Sequence, residues 1–152
     1  MKVSIVIPVY NEEKNIQNLI AEIFSSFKNT NYVYEIIIVN DCSFDNSIKV
    51  INDLILNHSD VIRCLSNKVN LGQSKTILNG IEKASYDVVA TIDGDGQNNP
   101  SNLPQLLNKY FSSEKIFLVG GIRKNRKDSF IKKISSKIAN KIRSQILNDD
   151  CV

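Results

Sequence analysis

Val3-Ser4-Ile5-Val6-Ile7-Pro8-Val9 is a short, β-branched run closed at a proline, the pattern of a strand buried on both faces. Directly after it, Ile16, Leu19, Ile20, Ile23 and Phe27 recur at helical spacing, which predicts an amphipathic helix of about four turns. The alternation continues down the chain. A second buried strand is expected over 35–39 (EIIIV), then a helix carrying Ile48, Ile51 and Leu54 and capped by Ser43 or Asp45. A weaker third strand over 61–65 leads through Asn70-Leu71-Gly72 to a helix with Ile77, Leu78 and Ile81. A fourth strand over 86–92 (YDVVATI) precedes a helix that Pro100 starts and that carries Leu103, Leu106, Leu107 and Tyr110. A fifth strand over 116–119 and a last helix over 129–147 complete the series. Strands alternating with helices predict an α/β domain with a mostly parallel sheet. With 152 residues and no repeat, low-complexity tract or linker, one domain over 1–152 is expected.

Composition narrows the chemistry. Apolar residues are 42% and charged residues 23%, which fits a folded domain rather than a disordered chain. No apolar run approaches the ~20 residues of a bilayer-spanning helix, and the first residues lack a signal-peptide pattern, so a cytoplasmic location is expected. Cys42, Cys64 and Cys151 form no CxxC pair and read as free thiols. His58, the only histidine, lies in a turn-like Asn57-His58-Ser59-Asp60, so a histidine-rich zinc site is disfavoured. The net charge of +3 conceals a segregated block: residues 122–143 hold nine Lys/Arg against the single acid Asp128. Such a block implies an anionic partner or, more plainly, a solvated helix face.

In parallel α/β sheets ligands bind at the carboxyl ends of the strands, and the polar clusters all fall there: Tyr10-Asn11-Glu12, Asn40-Asp41, residues 70–73, residues 93–97 and residues 120–126. Asp93-Gly94-Asp95 is the sharpest feature. Two carboxylates at i and i+2 can share one hard divalent cation, Mg²⁺ or Mn²⁺, with Gln97 as a neutral oxygen at the same period. Gly94 and Gly96 allow close backbone approach. Alone, this is also an ordinary Asp/Gly turn. An EF-hand is excluded because Asn98 and Pro104 stand where Gly and Glu are needed. Residues 72–76 echo a P-loop, but Ser74 and Val69 stand where its two glycines are required, and no GxGxxG follows the first strand.

Taken in order, these residues resemble the family 2 glycosyltransferases, with their nucleotide-sugar-binding GT-A fold. Residues 6–12 (VIPVYNE) look like that family's opening motif. Asn40-Asp41-Cys42-Ser43-Phe44-Asp45 resembles its second acidic motif, with Asn40 in place of the first Asp, and Asp93-Gly94-Asp95 matches its DxD motif. Asp93-x-Asp95-x-Gln97-x-x-Pro100 and Gly121-Ile122-Arg123-x-x-Arg126-x-Asp128 are similar to the polyprenyl-phosphate branch, such as dolichol-phosphate mannosyltransferase. Asn70-Leu71-Gly72-Gln73 looks like its bacterial undecaprenyl-phosphate members. The resemblance implies that Pro8, Val9, Tyr10, Glu12, Asp41, Gly72, Gln73, Asp93, Gly94 and Asp95 surround a UDP- or GDP-sugar. It assigns Asp41 to the base, and the catalytic metal to Asp93, Asp95 and Gln97. It implies inverting transfer to a polyprenyl phosphate, whose phosphate is already an anionic nucleophile and needs no strong base.

The same resemblance places the acceptor phosphate at Arg123, Arg126, Lys132 and Ser136, with Lys132 where an arginine is usual. Ile131, Ile134, Ile138, Ile142 and Ile146 form one stripe of the helix over 129–147, so peripheral association with an anionic membrane surface is expected. Relatives continue beyond Asn148-Asp149-Asp150-Cys151-Val152, so a C-terminally truncated domain is expected. The alternatives are a non-catalytic nucleotide-sugar-binding fragment and a nucleic-acid-binding protein using the basic helix. The few aromatics do not interleave with the basic block, which weighs against nucleic acid.

Overall fold

The computed structural model describes residues 1–121. Residues 1–119 form one compact unit, and residues 120–152 a second, of which only Gly120 and Gly121 are among the described residues. The expected helix over 129–147 and the basic block over 122–143 lie outside them. The first unit runs β1 (Lys2–Val9), α1 (Ile16–Phe27), β2 (Val33–Asn40), α2 (Ser47–Asn57), β3 (Ile62–Ser66), α3 (Gln73–Ile81), β4 (Val89–Thr91), a 3₁₀ turn (Pro100–Asn102) and α4 (Leu103–Tyr110). The four strands make one sheet in the order β3-β2-β1-β4, and every pairing is parallel.

β1 is central because its sequence suits burial on both sides. Its odd residues Val3, Ile5, Ile7 and Val9 join Ile36 and Ile38 of β2 in the main core, under α1, α2 and α4. Val6, Ile37 and Val39 point the other way into a smaller core, which α3 covers. The register Ile5↔Ile36 and Val6↔Ile37 keeps the two sets on opposite faces, as a period of two requires.

The α3 face is apolar only in its middle. At the amino end of the sheet the Glu35 carboxylate accepts from the Ser4 hydroxyl (2.6 Å), Arg63 Nε (3.0 Å), and the amide (2.6 Å) and hydroxyl (3.0 Å) of Ser85. Arg63 also donates to the carbonyl of Lys83. Burial opposes ionisation of Glu35, but these donors outweigh it and hold its carboxyl below the usual range.

Two expectations are corrected. The fourth strand is confined to Val89–Thr91, and residues 86–88 lead into it, with Ser4 donating its amide to the Val88 carbonyl. Residues 116–119 are not a strand. Among the described residues nothing pairs with them, Phe117 and Leu118 are each 87% exposed, and the Ile116 amide closes a turn on Ser113. Four apolar residues without alternation carry no information about a ladder partner, and exposure of two neighbours in a row leaves no buried face. The Pro100 start appears as a 3₁₀ turn that runs into α4. Among the described residues no helix is long and apolar enough to cross a membrane.

Gly80 sets the spacing between α3 and the sheet. A β-carbon there would lie 2.4 Å from Val6 Cγ1 and 2.9 Å from Val39 Cγ2, both on fully buried, rigid valines. Gly80→Ala gains about 1 kcal/mol of helix propensity but overpacks this contact by about 1–3 kcal/mol. Urea denaturation should therefore show a net loss of about 1 kcal/mol, where an exposed helical glycine would show a gain.

Candidate functional site

The site begins with a missing hydrogen. Ser4 donates its amide to Val88 and Val6 accepts from the amide of Ile92, so the even residues of β1 turn their backbone groups toward β4. Pro8 is next in that series and has no N–H. The β1–β4 ladder stops at Val6↔Thr91, although the chain after β4 still passes Pro8 and Val9 closely at Gly94. β1 has β2 on one side and β4 on the other, so the strand order reverses at this point, where open α/β sheets bind ligands. The result is a cleft of about 410 Å³.

The cleft brings together all ten donor-site residues expected from sequence. Pro8, Val9, Tyr10 and Glu12 supply one wall; Asp41, Gly72 and Gln73 a second; Asp93, Gly94 and Asp95 a third. Asn70 also lines it, as does the buried Thr76, which the sequence reading missed. Gln97 is exposed on the same loop as the two aspartates, and its amide donates to Asp95 Oδ1 at 2.9 Å. Arg123, Arg126, Lys132 and Ser136 lie outside the described residues.

Side-chain bonds join the loops in series. The β1–α1 and β2–α2 loops are zipped together: the Asn11 amide donates to Ser43 Oγ (3.0 Å) and the Phe44 amide returns a bond to Asn11 Oδ1 (3.0 Å). The Glu12 amide donates to Ser47 Oγ (2.8 Å), and the Glu13 amide to Asp45 Oδ2 (3.2 Å). Asp45 Oδ1 also accepts from the Ser47 amide (2.9 Å) at the start of α2. Neither expected cap is the N-cap of α2, which is Asn46 without a side-chain cap bond; Asp45 lies one residue before it, and Ser43 serves the neighbouring loop. Asn11 and Cys42 adopt positive φ, 57° and 60°, a left-handed turn that asparagine tolerates better than most residues. Beside the zipper, the exposed Phe44 ring meets the ring of Tyr10 edge-on at 6.0 Å.

Asp41 ties the β2–α2 loop to the next one. Its carboxylate, on a residue only 3% exposed, accepts from Asn67 Nδ2 (2.7 Å) and the amides of Leu71 (2.9 Å) and Gly72 (2.9 Å). The Thr76 hydroxyl is a further partner. Burial alone would raise its pKa; the four hydrogen bonds prevail and lower it. A carboxylate has about four lone-pair sites, so the protein itself satisfies Asp41. Gly72 accepts this arrangement at φ +81°, which a side chain would strain.

At the far wall, Asp93 Oδ1 accepts from Gln73 Nε2 (2.7 Å) and Oδ2 from Asn98 Nδ2 (2.9 Å). Gly94 is buried, and a β-carbon there would lie 2.8 Å from the Pro8 carbonyl oxygen. Among the described residues there is no group of three or more His, Cys, Asp or Glu side chains able to hold a metal. Two carboxylates on one wall nevertheless fit a hard divalent cation of the kind that takes one or two carboxylates and completes its shell with phosphate oxygens and water. His58 packs on Phe24 at 4.7 Å, next to the end of α2. Cys42 and Cys64 are free thiols, and burial pushes that of Cys64 up.

Comparison with known proteins agrees with this geometry. Residues 4–151 match the family model for glycosyl transferase family 2. The chain is 39% identical over 140 residues to an undecaprenyl-phosphate 4-deoxy-4-formamido-L-arabinose transferase of Proteus mirabilis, covering 91% of this chain and 42% of that protein. A transferase of the same description from Aeromonas hydrophila is 37% identical, again over 91% of this chain and 42% of the relative. The chain thus spans about two fifths of the length of these relatives. Among solved structures, glucosyl-3-phosphoglycerate synthase from Mycobacterium tuberculosis in complex with UDP superposes with a TM-score of 0.70 at 22% identity, over 95% of this chain and 50% of that one. A mannosyltransferase from Pyrobaculum calidifontis in complex with GDP-Man and Mn²⁺ gives 0.55 at 20% identity, over 61% and 27%.

Asp41→Asn should destabilise the protein by about 2–3 kcal/mol, because an amide nitrogen would face donors that now meet a charge. The lowered carboxyl pKa of Asp41 contributes stability that is complete above the ordinary value of 3.8 and is lost as pH falls through the folded value. Denaturation at a series of pH values should therefore show the gap between wild type and variant constant near neutrality and shrinking below about pH 4.

Proposed function

The chain belongs to glycosyl transferase family 2 and has the GT-A type of fold, and from this we propose that its cleft binds a UDP- or GDP-sugar for inverting transfer to a polyprenyl phosphate. The observation that carries the reading is the cleft at the end of the β1–β4 ladder, which gathers Asp93 and Asp95 with the Tyr10 and Asp41–Gly72 walls. The undecaprenyl-phosphate transferases to which the chain is similar support the choice of acceptor class. A family match over 4–151 supports reading 1–152 as part of one catalytic domain.

In this reading Pro8, Val9, Tyr10 and Glu12 flank the nucleoside, with the exposed Tyr10 ring offering an aromatic face to the base. Asp41 shapes the base end by fixing the Leu71 and Gly72 amides. Asp93 and Asp95, with Gln97, would hold Mg²⁺ or Mn²⁺ against the donor diphosphate. When bound there, such an ion supplies positive charge where the leaving diphosphate develops its own. The acceptor phosphate is ionised already, so the site has no need of a histidine base. Arg123, Arg126, Lys132 and Ser136 are proposed to receive that phosphate.

The test is nucleotide binding followed by transfer. Calorimetry with UDP and GDP should show binding that Mn²⁺ tightens. Asp95→Ala should abolish the Mn²⁺ dependence without changing the thermal midpoint, since Asp95 is a partly exposed loop residue. Unchanged Mn²⁺ dependence in that variant would remove the metal assignment. Donor binding without label transfer to undecaprenyl phosphate would leave a nucleotide-sugar-binding module.

A membrane surface follows from charge. Nine basic residues against one acid over 122–143, at about 1 kcal/mol each for those near an anionic leaflet, should give reversible, salt-sensitive binding. Co-sedimentation with phosphatidylglycerol vesicles at low salt should carry the protein down. Changing Lys132, Lys133, Lys137 and Lys141 together to Gln should leave it in the supernatant.

A further inference from the structure

Phe44 lies in the β2–α2 loop and is 82% exposed, so it adds little to the core. Its place is nevertheless fixed. The Phe44 amide donates to Asn11 Oδ1 at 3.0 Å, and the Asn11 amide donates to Ser43 Oγ at 3.0 Å. Asn11 follows Tyr10 in the chain and Ser43 precedes Phe44, so two reciprocal bonds bracket the two rings. The ring centroids are 6.0 Å apart and the planes cross at 82°. In that arrangement the positive rim of one ring meets the negative face of the other. Whichever ring supplies the rim, at least one face of Tyr10 stays free. Tyr10 lines the cleft and is 44% exposed, whereas Phe44 is not part of the lining.

We propose that Phe44 is a positioning residue that sets the Tyr10 ring in one orientation before a nucleotide arrives. This rests on the nucleotide-sugar reading above and adds to it a residue outside the cleft that tunes affinity for the base. A half-exposed ring samples several rotamers, and a base that stacks on it has to stop that motion. Ordering the ring in advance removes that cost from binding. Phe44 acts on the base only through Tyr10, so its effect requires both a ring at position 44 and a ring at position 10. A phenylalanine that merely fills a turn would show neither requirement.

The experiment measures the affinity of the whole chain for UDP and GDP by calorimetry in the presence of Mn²⁺, with no acceptor and no turnover. Phe44→Leu keeps an apolar side chain and removes the ring; Phe44→Tyr keeps the ring. For the tighter of the two nucleotides, Phe44→Leu should bind about two- to tenfold more weakly than wild type, and Phe44→Tyr should match wild type. Thermal midpoints should not change, because position 44 is exposed. Tyr10→Leu should weaken binding by itself, and adding Phe44→Leu to it should cost nothing further; where that pair binds below detection, the comparison of Phe44→Leu with Phe44→Tyr decides alone. Phe44→Leu matching wild type, Phe44→Tyr binding as weakly as Phe44→Leu, or an undiminished Phe44→Leu effect in the Tyr10→Leu background would each overturn the proposal and leave the nucleotide reading standing. Wild type that binds neither UDP nor GDP would overturn both.

Discussion

The carboxylate of Asp41 is the constraint on which the cleft depends. It sits at the carboxyl end of β2, inside the fold, and is satisfied entirely by the segment that follows β3: the Asn67 side chain, the Leu71 and Gly72 amides and the Thr76 hydroxyl. Residues 67–72 of that segment have no regular structure of their own to hold them. Without a buried anion to gather them, those amides would need water or a different backbone path, and α3 would start elsewhere. Gln73 would then not reach Asp93, and the third wall of the site would lose its link to the second.

β2 performs the same service at its other end. Glu35 holds Ser85 just beyond α3, and Arg63 reinforces it through the Lys83 carbonyl. The helix is thus strapped before and after by carboxylates of one strand, with Gly80 seated on Val6 and Val39 between them. The small apolar core on this face, Val6, Ile37 and Val39, is much thinner than the one beneath α1, α2 and α4. Charged hydrogen bonds at both ends supplement what area burial alone supplies there.

Periodicity revealed the elements whose burial is one-sided or complete. The stripe Ile16–Phe27 and the run through β1 were legible because burial imposes the spacing. The run at 116–119 misled because apolarity without a partner is not a strand. The extent of β4 was overread for a related reason: where its ladder ends is decided by Pro8 on another strand, and nothing within 86–92 records it. At the site, the residues that face the cavity were legible as polar clusters at strand ends. The residues that hold those clusters were not. Ser43, Asp45, Ser47, Asn67 and Thr76 act through bonds to loops distant in sequence, and a hydroxyl or amide that reaches 30 positions away looks the same in a sequence as one that meets water. Asn40 illustrates the point: it departs from the usual acidic motif, yet its side-chain oxygen accepts from the Ser43 amide at 3.1 Å, a task for which no charge is needed.

Pro8 gives the crevice a property that shape alone would not. Parallel strands lengthen by adding rungs, and neighbouring strands with free donors and acceptors tend to continue pairing. At Pro8 the next rung toward β4 has no hydrogen to offer, so the ladder cannot be continued there however near the following chain runs, and that chain passes Pro8 closely at Gly94. A ligand arriving there has no β1–β4 rung at Pro8 to break, so its binding free energy is not diminished by the cost of unzipping that rung.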